Sequence, residues 1–580
     1  MKKKIFLCLN IIALAVFLIL VCFILSAEYI RFDFDTLGDF GAPIQYGYAF
    51  YQGGDIISSP MGFIYSLING LAFIFLDKFH LGINKIVFTA SLFFSVGITA
   101  IWILIRRFTQ YKIPFIVLLL IVLLTCNPTS VGIVLEFWIR WNGQYNVNLY
   151  MLIFLEMILS ALIFSRKDLL LEQKDKDIYI LSAIYALFLY IPFNYKISYF
   201  AAASFIAVIP ALVFSVKKSI KYFISIFIFF VLANVLTALI SGYDYFVYFE
   251  GLYYSAQTRL KSNQTPLKYM ILALIDFTLI MGIIVFNKFI SFIHCTEGGV
   301  SSLLHSANKK NNVFVQFLSN FNFKNAVRCC LFAFIFVLSI YTAVSVNGGN
   351  GTEGGRVLII PLVISFFVFW KFKYKKIVLF AVCLLYIFYI DILYAKLFVK
   401  PDMSDYKEIV YNNINSDHKL RFFLEPQKAE NKMMKIKQKY NIPDLTELYL
   451  PKIFDDIINF YKKFGLTADD TIFAEIGSVT KNIAPFIVNG KYPKNAMIWD
   501  WADVVAVYSL PKDLPDIYKE DLGKYDIFVI QKIRADAAGG QENVIKKYIL
   551  QNKNYEEIYQ TQDLIFYAKK SWIKDRGIIN

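Results

Sequence analysis

Histidine is nearly absent from this chain, with 4 in 580 residues. His80, His294, His305 and His418 form no HxxE or HxxxH spacing, which argues against a histidine-based metal site or catalytic triad. Cysteine is also scarce. Cys8, Cys22, Cys126, Cys295, Cys329, Cys330 and Cys383 all lie in or near apolar segments and none follows residue 383, so neither a disulfide framework nor a zinc pattern can be read. No GxxxxGK[ST] phosphate cradle occurs, so nucleotide-driven chemistry is not indicated. Charged residues make up only 18%, against 57% hydrophobic and 18% aromatic, a balance too apolar for a soluble protein of this length. The net charge of +15 would suggest nucleic acid in a soluble domain. Here many Lys and Arg fall in short clusters between apolar segments, where the positive-inside rule operates, and nucleic acid is set aside as a partner.

The expectation is a polytopic α-helical membrane protein. Residues 5–26 form an apolar run after Lys2–Lys4, longer than a signal-peptide core and long enough to span a bilayer. With the N-terminus cytoplasmic, this first helix delivers residues 27–60 to the outside. The next apolar segment, 61–76, is short and contains Asn69 and Gly70. Treating it as an interfacial or re-entrant helix lets Arg106–Arg107 fall inside after a span near 85–105. Further spans are expected near 113–127, 147–164, 178–193, 197–216, 222–241, 267–287, 329–346, 357–370 and 377–397. That makes about eleven crossings and leaves the C-terminus outside. Residues 1–399 therefore read as a membrane domain, in which 27–84 is a first external loop with juxtamembrane helices. From residue 400 the composition turns polar. Strand-like runs at 526–532 and 563–570 and a helical pattern at 450–465 give 400–580 as a soluble extracytoplasmic α/β domain.

Acids, cations and aromatics converge on the outer face. The first loop carries Asp33, Asp35, Asp39 and Asp55 among Tyr46, Tyr48, Phe50 and Tyr51, with Gly53–Gly54 as a chain-reversal signal. Later outer segments add Glu136 and Arg140, then Lys196, then Arg259, then Glu353 and Arg356. Carboxylates beside hydrocarbon are costly unless solvated, paired or functional. An extracytoplasmic transfer has no nucleotide donor at hand, so the activated group must arrive on a lipid carrier. Such a site needs a carboxylate to deprotonate an acceptor hydroxyl, cations for the carrier phosphate and aromatic faces for sugar rings. Asp39 or Asp35 supplies the base in this scheme, and Arg140, Lys196, Arg259 and Arg356 supply the phosphate ligands. Asp55 and Glu136 are the acids placed to orient the acceptor or a cation. The competing explanation for any single Arg or Tyr is a snorkelling cation or an interfacial-belt aromatic.

The order apolar helix, Asp39, Gly53–Gly54, Asp55, Ser59-Pro60-Met61-Gly62, the helix FIYSLINGLAFIFL and a span ending Arg106–Arg107 resembles the N-terminal third of the GT-C glycosyltransferases. These include the lipid A aminoarabinose transferases and the protein O-mannosyltransferases. The resemblance implies an acidic catalytic base in the first external loop, for which the spacing to Gly53–Gly54 favours Asp39 over Asp35. It departs from the family in having spaced aspartates instead of an Asp-Glu pair, in Ser59 where the first proline is common, and in lacking a Trp-Trp-Asp-type motif. The implied activity is transfer of a hexose or pentose from a polyprenyl-phosphate donor to an envelope glycan, lipid or protein acceptor, in a bacterial inner membrane. No cofactor is called for with certainty. A divalent cation, Mg²⁺ or Mn²⁺, would suit carboxylates and a phosphate sharing one site, but no full ligand set is legible. The rivals are an O-antigen-type polymerase or ligase, which would not depend on Asp39, and a non-enzymatic lipid or glycan transporter, for which no internal repeat is seen. A partner-binding scaffold would leave the aspartates unexplained.

Overall fold

The structure, a computed structural model, describes residues 34–52, 57–59, 61–109, 175–261, 407–412, 419–424, 450–475, 482–499, 513–532 and 544–578, with scattered positions at 15, 148–163 and 334–335. The expected first span and those near 113–127, 267–287, 357–370 and 377–397 lie outside the described residues. So does the span near 329–346, apart from 334–335.

Where an external loop was expected, Phe34–Tyr51 forms a helix, α1. A strand β1, Ile57–Ser59, follows, and then helices α2, Phe63–Lys78, and α3, Ile86–Thr109. Helices α1 and α2 run in the same direction. Tyr46 meets Tyr65, Tyr48 meets Phe73, and the Tyr51 hydroxyl donates to Asp77 Oδ2 at 2.9 Å, so later residues of one pair with later residues of the other.

Helix α1 has two apolar faces. Ala42, Tyr46 and Ala49, spaced as one helical face, pack into the helical bundle with Tyr65, Phe94 and Tyr195. Ile44 and Tyr48, on another face, pack with Ile457, Phe486 and Val529 of the C-terminal region. The helix is thus wedged between the two halves of the chain. Pro43 interrupts it, because proline has no N–H to give the carbonyl of Asp39 one turn earlier.

The expected spans at 85–105, 178–193 and 222–241 are occupied by α3, α4 (Asp175–Tyr195) and α6 (Val216–Ser241). Between the last two, the expected span at 197–216 is only a ten-residue helix α5, Ser198–Ala207, continued by a 3-10 turn Ile209–Leu212 that contains Pro210. At ideal rises this is about 23 Å, shorter than one hydrocarbon core. It returns the chain so that α4 and α6 run in the same direction, Tyr222 lying beside Tyr185 and Asn234 beside Asn194. Helix α7, Tyr245–Lys261, leaves the end of α6 through Gly242, which takes the left-handed conformation at φ 70°.

Helix α6 is inside-out by the standards of a soluble protein. Positions 223/224, 227/228, 231/232, 235/236 and 239/240 are all exposed, and all carry Phe, Ile, Val or Leu. The covered stripe between them carries Ser225, Asn234, Thr237 and Ser241. The exposed apolar stripe runs about 26 Å along the axis.

In the C-terminal region the two runs read as strands are strands, and the helical pattern is α8, Leu450–Lys463. Strands β2, Lys407–Asn412, and β3, Lys419–Leu424, form an antiparallel pair, and a four-stranded sheet has the order β4-β6-β8-β7, formed by Ile472–Glu475, Ile527–Gln531, Leu564–Lys569 and Tyr555–Gln560. The β4–β6 pair is parallel and the others antiparallel. Phe460 of α8 stacks on Phe566 with ring centroids 4.2 Å apart, closing one face of the sheet. Buried Asp470 accepts from Trp572 Nε1 at 2.8 Å and pairs with Arg576, tying the chain's last helix to the end of α8. Strand β5, Met497–Trp499, does not join this sheet. It pairs in parallel with β1, Ile57 opposite Met497 and Ser59 opposite Trp499.

Candidate functional site

The site begins where β1 ends. Met61 forms an antiparallel backbone bridge with Lys196, and Gly62 N–H donates to the carbonyl of Tyr195 at 3.3 Å. Glycine is required at 62 for steric reasons. A Cβ there would lie 2.5 Å from the Asn194 carbonyl carbon, so only a bare backbone lets the start of α2 butt against the end of α4. The Ser-Pro-Met-Gly element thereby places Lys196, about 140 to 160 residues beyond the acidic stretch in sequence, beside the start of α2. Lys196 is 5% exposed, a depth at which an ammonium group is held only for a reason.

The acids reach the same end. Helices α1 and α2 are parallel, so the N-terminal turns of α1, with Asp35 and Asp39, lie toward the start of α2 and away from its Asp77 end. Residues 35 and 39 keep the helical spacing of Ala42, Tyr46 and Ala49 in the sequence. Helix α7, which carries Arg259 near its C-terminal end, packs along β1. Lys196 and the helix bearing Arg259 thus meet at the Met61 end of α2, and the parallel run of α1 and α2 directs the first turns of α1 toward it. Asp33, Asp55, Glu136, Arg140, Glu353 and Arg356 lie outside the described residues.

An aromatic and amide knot lines the junction. Asn194 Nδ2 donates to Asn234 Oδ1 at 2.8 Å, and the Tyr245 hydroxyl reaches Asn194 Oδ1 at 2.7 Å and Asn234 Oδ1 at 2.9 Å. Tyr248 OH donates to the Phe193 carbonyl at 2.9 Å. Phe63, Phe193, Tyr243 and Phe249 pack around them. Burial raises the phenols of Tyr243, Tyr245 and Tyr248 above the ordinary tyrosine value, and the neighbouring Tyr and Asp244 groups add to it at Tyr243. They stay neutral at physiological pH and serve as hydrogen-bond groups, not as bases. The Tyr243 hydroxyl, buried, has no hydrogen-bond partner among the described residues.

Sequence reasoning missed Glu156. It sits within the 147–164 segment at 0% exposure, and neither carboxylate oxygen has a hydrogen-bond partner among the described residues. Its polar surroundings are Tyr185 and Tyr222, with Ser160 hydrogen-bonded to the Tyr185 hydroxyl at 2.5 Å. The signal was available as a single acid inside an otherwise apolar span. Asn194, Asn234 and Tyr245 were missed because amides in apolar runs carry no spacing motif. Among the described residues, no three His, Cys, Asp or Glu side chains cluster as metal ligands, so no cation site is placed.

No protein-family model, curated protein or solved structure matches the chain.

Proposed function

We propose that the chain is a membrane-embedded glycosyltransferase of the GT-C type, with about eleven spans and an extracytoplasmic C-terminal domain, that moves a sugar from a polyprenyl-phosphate donor to an envelope acceptor. The observation that carries the reading is the junction itself. Buried Lys196 bridges Met61 and the helix of Arg259 packs along β1, while the parallel run of α1 and α2 directs the acid-bearing turns of α1 toward that end. Two further features support it. The exposed apolar stripe of α6 matches the hydrocarbon thickness of a bilayer and suits lipid far better than water. The core shared by α1 and the C-terminal region supports a reading in which that region and the first outer segment lie on one side.

In the reaction an acceptor hydroxyl oxygen attacks the anomeric carbon. The bond from that carbon to the phosphate oxygen breaks, and its electron pair leaves with the polyprenyl phosphate. Asp39 takes the hydroxyl proton, with Asp35 one turn away on the same face as the alternative base. Lys196 and Arg259 stabilise the charge that develops on the departing phosphate. The aromatic junction gives sugar rings apolar faces, and its neutral phenols offer hydrogen bonds.

The test is sugar transfer by the full chain in lipid, with a panel of polyprenyl-phosphate sugars. Asp39→Asn is expected to lower kcat by about 10²- to 10⁴-fold with donor binding retained. Full activity in both Asp39→Asn and Asp35→Asn would sink the mechanism and favour a polymerase or ligase.

A further inference from the structure

Two carboxamide side chains grip backbone in the same manner. Gln52, just past the end of α1, donates from Nε2 to the Gly490 carbonyl at 2.6 Å and accepts the Tyr492 N–H on Oε1 at 3.3 Å. It fills the place that a neighbouring strand's peptide would take. Asn482 repeats the arrangement on β4, donating from Nδ2 to the Ile472 carbonyl and accepting the Ala474 N–H on Oδ1, both at 3.1 Å. Tyr492 joins the two grips, because its hydroxyl donates to the Asn482 carbonyl at 2.6 Å. Tyr48 adds a second tie from α1. Its hydroxyl donates to the Gly490 carbonyl at 3.0 Å, with its ring set edge-on against Phe486 and Tyr492. A continuous run of hydrogen bonds thus leads from α1 to an outer strand of the C-terminal sheet.

Helix packing alone does not fix α1. The close approach at Gly47, whose Cβ would lie 2.9 Å from the Asn69 carbonyl oxygen, sets how near α2 comes. Apolar contact is non-directional and leaves rotation and sliding soft, whereas hydrogen bonds are directional. Gln52 lies thirteen residues beyond Asp39, about 20 Å along the helix, so a small rotation at one end swings the other.

We propose that the C-terminal domain is a positioning element for the site. Tyr48 and Gln52, clamped on the Asn489–Tyr492 turn, set the rotation and height of α1 and hence where its first turns, which carry Asp35 and Asp39, stand relative to α2. The effect on turnover rests on the transferase reading; the clamp itself does not. Tyr48 and Gln52 act through α1 and touch no substrate.

The experiment uses the full chain in lipid nanodiscs, with Tyr48→Phe, Gln52→Ala and, at the far end of the run, Asn482→Ala. Amide hydrogen exchange over residues 34–52 is expected to rise about five- to tenfold in each. With activity normalised to the folded, donor-binding fraction, the transfer kcat should fall while KM for the lipid donor stays unchanged; the normalisation removes the loss of apparent kcat that simple destabilisation gives. Unchanged exchange over 34–52 would overturn the clamp. Raised exchange with unchanged kcat would overturn the positioning role. A wild type inactive with every donor would count against the transferase reading, and the exchange measurement would still decide the clamp.

Discussion

Helices α4 and α6 look alike in sequence, both being long and apolar enough to cross a membrane, yet 67% of the best window of α4 is buried against 17% for α6. Helix α4 is surrounded. Its Ser182, Tyr185 and Asn194 face α6, α7 or the 148–163 segment, and each has a hydrogen bond. Helix α6 keeps its polar residues on one covered stripe and turns Phe, Ile, Val and Leu outward. Hydropathy measures how apolar a helix is, and only the placement of its few polar residues tells what surrounds it.

The largest test of this contrast is a charge on the outward stripe. Leu232→Arg should cost about 3 kcal/mol and sharply lower the yield of folded protein in membranes, since position 232 is exposed mid-helix and on the membrane reading would face hydrocarbon. Normal yield would mean that α6 meets water or protein, and the contrast would dissolve. Next comes the polar seam where the two helices meet. Asn194→Ala removes an amide shared by Asn234, Tyr245 and the Tyr190 carbonyl, and should lower stability by about 2–3 kcal/mol in a thermal-unfolding assay. Gly62→Ala, which drives a methyl into the end of α4, should cost about 1–3 kcal/mol and reduce transfer in the same assay as Asp39→Asn. Tyr245→Phe should cost only about 1 kcal/mol, because Asn194 and Asn234 remain bonded to each other. Glu156→Gln is expected to change the melting temperature least, or to raise it, since the carboxylate has no described partner to lose. A fall of several degrees would reveal a partner for it and make α4's surroundings more polar than they look.

Much of the architecture was legible. The lysine clusters and apolar runs marked α3, α4 and α6, and the alternating runs at 526–532 and 563–570 marked β6 and β8, because each signal is local. The stretch 27–60 was legible in content but not in form. Its aspartates, glycines and Pro43 look like a loop, and α1 exists because its two apolar faces find the bundle on one side and Ile457, Phe486 and Val529 on the other. The shortness of α5 was hidden too, since Ile, Ala and Val continue past Pro210 and blur where the helix stops. The candidate site was read from the sequence as a set of charges expected on one face. Its assembly was not, because Gly62 against Asn194 and Gln52 against Gly490 are encounters between residues far apart in the chain.

The pairing of β1 with β5 also has a consequence for the order of synthesis. Ile57 leaves the ribosome some 440 residues before its partner Met497 exists. The edge at Ile57–Ser59 and the domain-facing side of α1 gain these partners only after residues 450 to 529 have been made. A nascent chain arrested before residue 450 would carry Asp35, Asp39, Lys196 and Arg259 and still lack the surface that holds α1. On the transferase reading, activity would appear only once that surface has emerged.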